Sequence, residues 1–357
     1  MHPCAIVDID LTALRHNFAR VKQLAPHCKI LAMVKANAYG HGMIPVAHAL
    51  PNADYFGVAR LEEALALREA HVTRPIVLMS GVYDDTALRQ VQHHQLHMVV
   101  HSLEQIELLK HSKYLPQYVW LKVDSGMHRY GVAVAEAKMA YEQLRKILPP
   151  GHLGWMSHFA CSDIPDCPMV LEQIARFEAV TQNTEAPKSL ANSAAILQYP
   201  ETQYDVVRPG LMLYGVSPRQ NRTAQEDGLL PVMTLRSEVV ALHDVPTGGS
   251  VGYAATWHAP KPSRIAVVPV GYADGYPQTM PNGTPVLVRG HRAVIAGRVS
   301  MDTLTIDVTH LPDVAIGDAV VLWGKGLPVE TIAQFIKGSV YGLLTGVTKR
   351  AEYRFLN

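Results

Sequence analysis

The chain is short of charge, short of cysteine and without a long apolar run. Charged residues occupy 18% of its 357 positions, too small a share for a chain held unfolded by its own repulsion. Lysine plus arginine number 32 and aspartate plus glutamate 31, a formal net charge of +1. That balance gives neither nucleic acid nor an anionic membrane an electrostatic hold. No apolar stretch approaches the ~20 residues a membrane-spanning helix needs. The four cysteines, Cys4, Cys28, Cys161 and Cys167, have neither disulfide-framework nor zinc-knuckle spacing, so reduced and mostly packed thiols are expected. The opening residues Met1-His2-Pro3-Cys4, followed by Asp8 and Asp10, lack the apolar core of a signal peptide, and a cytoplasmic location is expected. His93, His97 and His101 are spaced by four, but no carboxylate or thiol completes a ligand set. A solvated, neutral histidine cluster and no metal are expected.

Hydrophobic residues make up 48% of the sequence, and the length suits two domains of ~150 residues or one large barrel with an appendage. After an opening segment at 4–10 and a helix near 14–24, strand-like runs recur at 29–35, 54–59, 75–80, 97–101, 118–123, 153–159, 189–192 and 206–208. Apolar residues at helical spacing, such as Leu61, Ala64, Leu65 and Leu67, lie between most of them. About eight strand-helix alternations predict a (β/α)8 TIM-type barrel, with a doubly wound open sheet as the alternative. From Val232 onward the pattern turns to strand alternation at 232–245, 264–270, 285–288, 291–296, 303–308 and 319–323, with one helix at 329–336. The expected division is a barrel over 1–228 and a mainly antiparallel β domain over 229–357, with the polar stretch 215–230 as linker.

Barrel chemistry sits at the C-terminal ends of strands. There the apolar run Ile30-Leu31-Ala32-Met33-Val34 ends on Lys35-Ala36-Asn37-Ala38-Tyr39-Gly40-His41-Gly42. A lysine partly desolvated at a strand end has a depressed pKa and a free amine suited to imine chemistry. A lysine that simply reaches solvent is the alternative.

The octet from Lys35 resembles the pyridoxal-phosphate lysine motif of bacterial alanine racemases, fold type III enzymes. Further stretches match that family in order: Lys122-Val123-Asp124-Ser125-Gly126-Met127-His128-Arg129, Met156-Ser157-His158-Phe159, Ala191-Asn192-Ser193, Arg208-Pro209-Gly210 and Leu213-Tyr214-Gly215. Val251-Gly252-Tyr253, Gly271-Tyr272-Ala273-Asp274-Gly275, Gly297-Arg298-Val299-Ser300-Met301-Asp302 and Tyr341 continue the series.

The resemblance implies interconversion of L- and D-alanine, supplying D-alanine for peptidoglycan. Pyridoxal 5′-phosphate held by Lys35 exchanges its imine for one with the substrate amine, forming an external aldimine. Inversion needs a proton carrier on each face of that flat adduct, since one base returning its own proton inverts nothing; the resemblance assigns these to Lys35 and Tyr253. It also implies that Tyr39, His158, Ser193, Arg208, Gly210, Leu211 and Tyr341 hold the cofactor. Arg208 would face the pyridine nitrogen and, as a guanidinium, keep it unprotonated. Arg129 and Met301 would bind the substrate carboxylate, with Lys122, Tyr272 and Asp302 in support. Lys122 is carbamylated in many relatives, which would turn it into an anion able to hold Arg129. A homodimer is implied, in which the β domain of one copy, bearing Tyr253 and Met301, completes the barrel site of the other. Ser300 stands where many relatives have cysteine and His128 where glycine is common. A broad-specificity amino-acid racemase, a non-catalytic pyridoxal-phosphate carrier and a decarboxylase of basic amino acids are the alternatives; the C-terminal β domain argues against the carrier.

Overall fold

The computed structural model describes residues 4–336 and 338–357. Its first strand, β1 (Ile6–Asp10), alternates half-buried and buried residues and ends on Asp10. That carboxylate accepts from the Ala13 amide at 2.8 Å and so caps the helix Leu11–Leu24. Eight parallel strands then follow: β2 (Lys29–Met33), β3 (Tyr55–Val58), β4 (Ile76–Leu78), β5 (His97–Val100), β6 (Tyr118–Asp124) with the short β7 (Val132–Ala133) beside it, β8 (Leu153–Met156), β9 (Lys188–Ser189) and β10 (Val206–Val207). Pairing runs from β10 through β2 to β6, then β8 and β9. A parallel bridge between Asn192 and Arg208 brings the last edge to the first. The barrel is thus nearly closed. Its strands are apolar on both faces because helices cover the outside while side chains fill the inside; all of β4 and β5 is buried.

The second sheet is built from β11 (Met233–Glu238), β12 (Ala241–Val245), β15 (Ser263–Val268), β16 (Pro285–Val288), β17 (His291–Ile295), β18 (Leu304–Asp307), β19 (Ala319–Trp323) and β20 (Glu352–Leu356), while β13 (Ser250–Val251) and β14 (Trp257–His258) form a separate hairpin. β1 also belongs here, antiparallel to β11 and parallel to β20. The start of the chain therefore lies outside the barrel, although 1–228 was expected to be barrel. Its fully buried Val7 and Ile9 satisfy the face of the antiparallel sheet, and Arg236 pairs with Asp8 across the β1–β11 seam.

One further expectation is corrected. His97 and His101 are not solvated: both are 9% exposed, His97 on the wholly buried β5 and His101 just past its end. The stretch 215–230, which runs between the barrel and the second sheet, is ordered: Asp227 is buried and accepts from Ser217 Oγ and Arg219. Among the described residues, no helix is long and apolar enough to cross a membrane, and no three His, Cys, Asp or Glu side chains are placed to share a metal ion. The four cysteines are free.

Candidate active site

Lys35 follows β2 and begins a segment whose backbone is left-handed at Ala36, Asn37, Ala38 and Tyr39, with φ of 52°, 53°, 55° and 53°. Each such residue costs roughly 1–2 kcal/mol relative to an ordinary helical turn, so the shape persists only because its surroundings impose it. Asn37 Oδ1 accepts from the Met43 amide at 2.9 Å. Ala36 N–H donates to Glu63 Oε1 at 2.6 Å, and His41 Nδ1 lies 2.9 Å from the Tyr39 carbonyl oxygen. The turn closes at Gly40 (φ +83°), where a Cβ would lie 2.1 Å from the Leu344 carbonyl oxygen. The helix Val340–Gly346 thus packs on the lysine segment and brings Tyr341 to a ring-centroid distance of 5.8 Å from Tyr39.

Lys35 opens into a cavity of about 990 Å³ at the C-terminal end of the barrel strands. Tyr39, Lys122, Arg129, His158, Ser193, Arg208, Gly210, Leu211 and Tyr341 also line it. At its floor Arg208, 3% exposed, donates to Ser189 Oγ at 2.6 Å, to the carbonyl oxygens of Ser157 and Leu190, and to His158 Nδ1 at 3.2 Å. A guanidinium only donates, so His158 Nδ1 is unprotonated and its proton sits on Nε2. Burial, then the Arg208, Lys122, Arg129 and Lys35 charges, hold His158 well below its ordinary pKa, and it is neutral. Burial pulls Arg208 down to about 9, which still leaves it a cation at neutrality.

Burial, Arg129 and Arg208 lower the Lys35 amine, while Glu63 opposes them. Burial, then Arg208, Arg129 and Lys35, bring Lys122 down to about 7 against the pull of Asp124. Six lysines and arginines line the cavity (Lys35, Lys122, Arg129, Arg208, Arg219 and Arg222) against two carboxylates, Asp163 and Glu330, a net positive lining suited to an anion. Opposite the lysine, Ser193 Oγ accepts from the amides of Gly210 (2.8 Å) and Met212 (3.3 Å). A Cβ on Gly210 would come within 2.5 Å of the Tyr39 hydroxyl, so this backbone comes unusually close to the phenol.

The residue before Arg129 explains one departure from the family pattern. His128 has φ 56°, the region where glycine is favoured. Asp124 holds it there, with Oδ1 accepting from the Gly126 and His128 amides at 3.0 Å each and Oδ2 lying 3.1 Å from His128 Nδ1.

Tyr253, Tyr272, Met301 and Asp302 do not line the cavity. Tyr253 is 71% and Met301 52% exposed, and Asp302 reaches Arg350 at 2.9 Å. These residues ride on neighbouring loops of the β domain. The Tyr272 and Ala273 amides donate to the Ser300 and Met301 carbonyls, and a Cβ on Gly252 would lie 3.3 Å from the Arg298 amide nitrogen. The resemblance assigns Tyr253 and Met301 to the barrel site of a second copy; within a single chain they stand apart from the cavity.

Two family profiles match the chain: Alanine racemase, N-terminal domain, over residues 9–218, and Alanine racemase, C-terminal domain, over residues 232–355. The chain belongs to the alanine racemase family. The alanine racemase of Vibrio vulnificus (strain CMCP6) is 46% identical over 351 residues, spanning 97% of this chain and 98% of that one. The biosynthetic alanine racemase from Pseudomonas aeruginosa has the same structure with a TM-score of 0.96 at 43% identity, covering 100% of both chains. The alanine racemase from Bartonella henselae, solved with covalently bound pyridoxal phosphate, matches with a TM-score of 0.89 at 29% identity over 99% of each chain.

Within this alanine racemase fold, several residues of the site went unread in the sequence. Ser157 and Ser189 fasten Arg208, Glu63 fastens the lysine segment, and Ser162, Asp163 and 217–222 form one wall of the cavity. Glu63 stands three residues after Arg60, the spacing of a helix-capping glutamate. With arginine rather than serine or threonine at the cap, the usual signal was missing.

Proposed function

We propose that the chain interconverts L- and D-alanine with pyridoxal 5′-phosphate carried on Lys35. The observation that carries this reading is a desolvated lysine at a barrel strand end, in a cavity it shares with five further lysines and arginines and with Ser193 and Gly210. The donor set fits the cofactor. Lys35 suits its aldehyde, Arg208 and His158 offer a cation and a neutral ring for a flat pyridine, and Tyr39, Tyr341, the Ser193 hydroxyl and the Leu211 amide are uncharged donors for a phosphate, beside the Gly210 amide that holds Ser193 Oγ. When bound, the cofactor supplies a conjugated ring into which charge at a substrate Cα spreads.

The rest falls to side chains of the chain. Lys35 Nζ, lowered by burial and two arginines, accepts the Cα proton on one face near neutrality. Tyr253 of the partner subunit delivers a proton to the other face, and Met301 of the partner subunit offers the substrate carboxylate a donor, with Tyr272 and Asp302 in support. The exposure of Tyr253 in one chain supports a homodimer in which each β domain caps the other copy's barrel. Arg129 grips the substrate carboxylate with its planar fork. Lys122, at about 7, has unprotonated amine at neutrality, as carbamylation requires, and the resulting anion would steady Arg129. Keeping water out and large amino acids away is the task of the capping domain. A cytoplasmic location and a contribution to D-alanine for peptidoglycan complete the reading.

The test is D-/L-alanine interconversion with L-serine and L-lysine as competitors, in water and in deuterium oxide. Alanine should racemise with solvent deuterium appearing at Cα, and Lys35→Ala should lose at least 10²–10⁴-fold, roughly the worth of a positioned base. Full activity of Lys35→Ala, or no uptake of pyridoxal 5′-phosphate, would sink it.

A further inference from the structure

The left-handed run from Ala36 to Tyr39 needs an anchor at its first amide, and that anchor comes from the helix that follows the next strand. Glu63 Oε1 accepts from Ala36 N–H at 2.6 Å. The other oxygen, Oε2, accepts from Ala59 at 2.8 Å and Arg60 at 3.1 Å, where β3 ends and the helix Leu61–Glu69 begins. One carboxylate thus ties three backbone amides and joins two barrel strand ends. The helix start favours its negative charge. Arg129 and Arg208 oppose the ammonium form of Lys35 and Glu63 supports it, while Lys122, whose own ammonium Lys35 opposes, adds to the repulsion.

We propose that Glu63 is a positioning residue for Lys35: it aims the lysine into the cavity through the Ala36 amide and balances the positive charge Lys35 takes up on accepting a proton. This role rests on Lys35 as the cofactor-bearing base, and the experiment separates the two. Full-length protein freed of cofactor is treated with trinitrobenzenesulfonate across a pH series. Labelling of Lys35 is followed by peptide mass spectrometry, with exposed Lys138 as internal reference. Glu63→Gln keeps an acceptor oxygen for Ala36 but no charge. Its Lys35 labelling midpoint should fall by roughly half a pH unit or more with the Lys138 midpoint unmoved; the thermal midpoint should drop, because the new amide nitrogen cannot accept from Ala59 and Arg60. Glu63→Asp restores the charge and should return the Lys35 midpoint toward wild type. Glu63→Ala also frees the Ala36 amide and should retain added pyridoxal 5′-phosphate about tenfold less tightly. Equal Lys35 midpoints in wild type and Glu63→Gln overturn the proposal, whether or not cofactor binds. Wild-type protein that takes up no pyridoxal 5′-phosphate at Lys35 overturns the assignment of the lysine and, with it, this role for Glu63.

Discussion

An arginine in a protein interior needs partners for its donors, and Arg208 finds them in Ser157, Ser189, Leu190 and His158. The same logic governs Arg129, which stays exposed toward the cavity and has a fork to spare. Arg129→Lys keeps the charge and loses the fork. It should raise KM for alanine about tenfold with a smaller change in kcat, measured by steady-state kinetics; an unchanged KM would place the carboxylate elsewhere. His97 supplies a pH prediction. Burial, then Arg68 and His152, hold it near a pKa of about 4, against 6.5 ordinarily. Unfolded chain therefore takes up a proton at His97 that the folded chain refuses. Its contribution to stability is complete above 6.5 and is lost as pH falls toward 4. In urea unfolding at about pH 5 and about pH 7.5, wild type should lose roughly 2 kcal/mol more than His97→Gln on acidification. Such residues were legible unevenly: reactive types inside dense motifs stood out, whereas His97 looked like one of a surface series. Burial belongs to the strand's position in the barrel rather than to the histidine.

The segment from Lys35 to Gly40 shows what an element adds. Its residue types hint at a tight turn, but four left-handed residues in succession are a tertiary outcome. Gly40→Ala would set a Cβ 2.1 Å from the Leu344 carbonyl oxygen at φ +83°. It should cost about 1–3 kcal/mol in thermal denaturation and weaken cofactor retention, because the helix bearing Tyr341 must withdraw; full stability would show that the packing can relax. The barrel strands were readable from their continuous apolar runs, each ending near its expected position. The run at 232–245 was less so. It divides into β11, which pairs with β1 and β19, and β12, which pairs with β15. Alternation continues across the corner without glycine or proline to mark the change of partner. The strand β20 and the helix Val340–Gly346 were unread, since short elements held by distant neighbours carry little periodicity of their own.

At the scale of the molecule, the cavity and the Tyr253 surface belong to one chain but not to one pocket. If two copies share their sites, Lys35→Ala and Tyr253→Phe, each inactive alone, should complement on mixing after dissociation. Half the re-formed dimers then pair unlike chains and hold one intact site of two, so about a quarter of wild-type activity should return. No recovery, with mixed dimers demonstrated by native mass spectrometry, would put both proton carriers in the same chain. Hydrophobic periodicity and motif order determined the two architectures and singled out Lys35, because those follow from local spacing and residue type, while the chemistry proposed for the lysine came from the family resemblance. Which residues meet was decided in three dimensions. Tyr341 joins the barrel cavity from far along the chain, β1 leaves the barrel for the other sheet, and Glu63 anchors the lysine segment. Such contacts arise when buried faces and unpaired amides find partners tens to hundreds of residues away, and no local pattern records them.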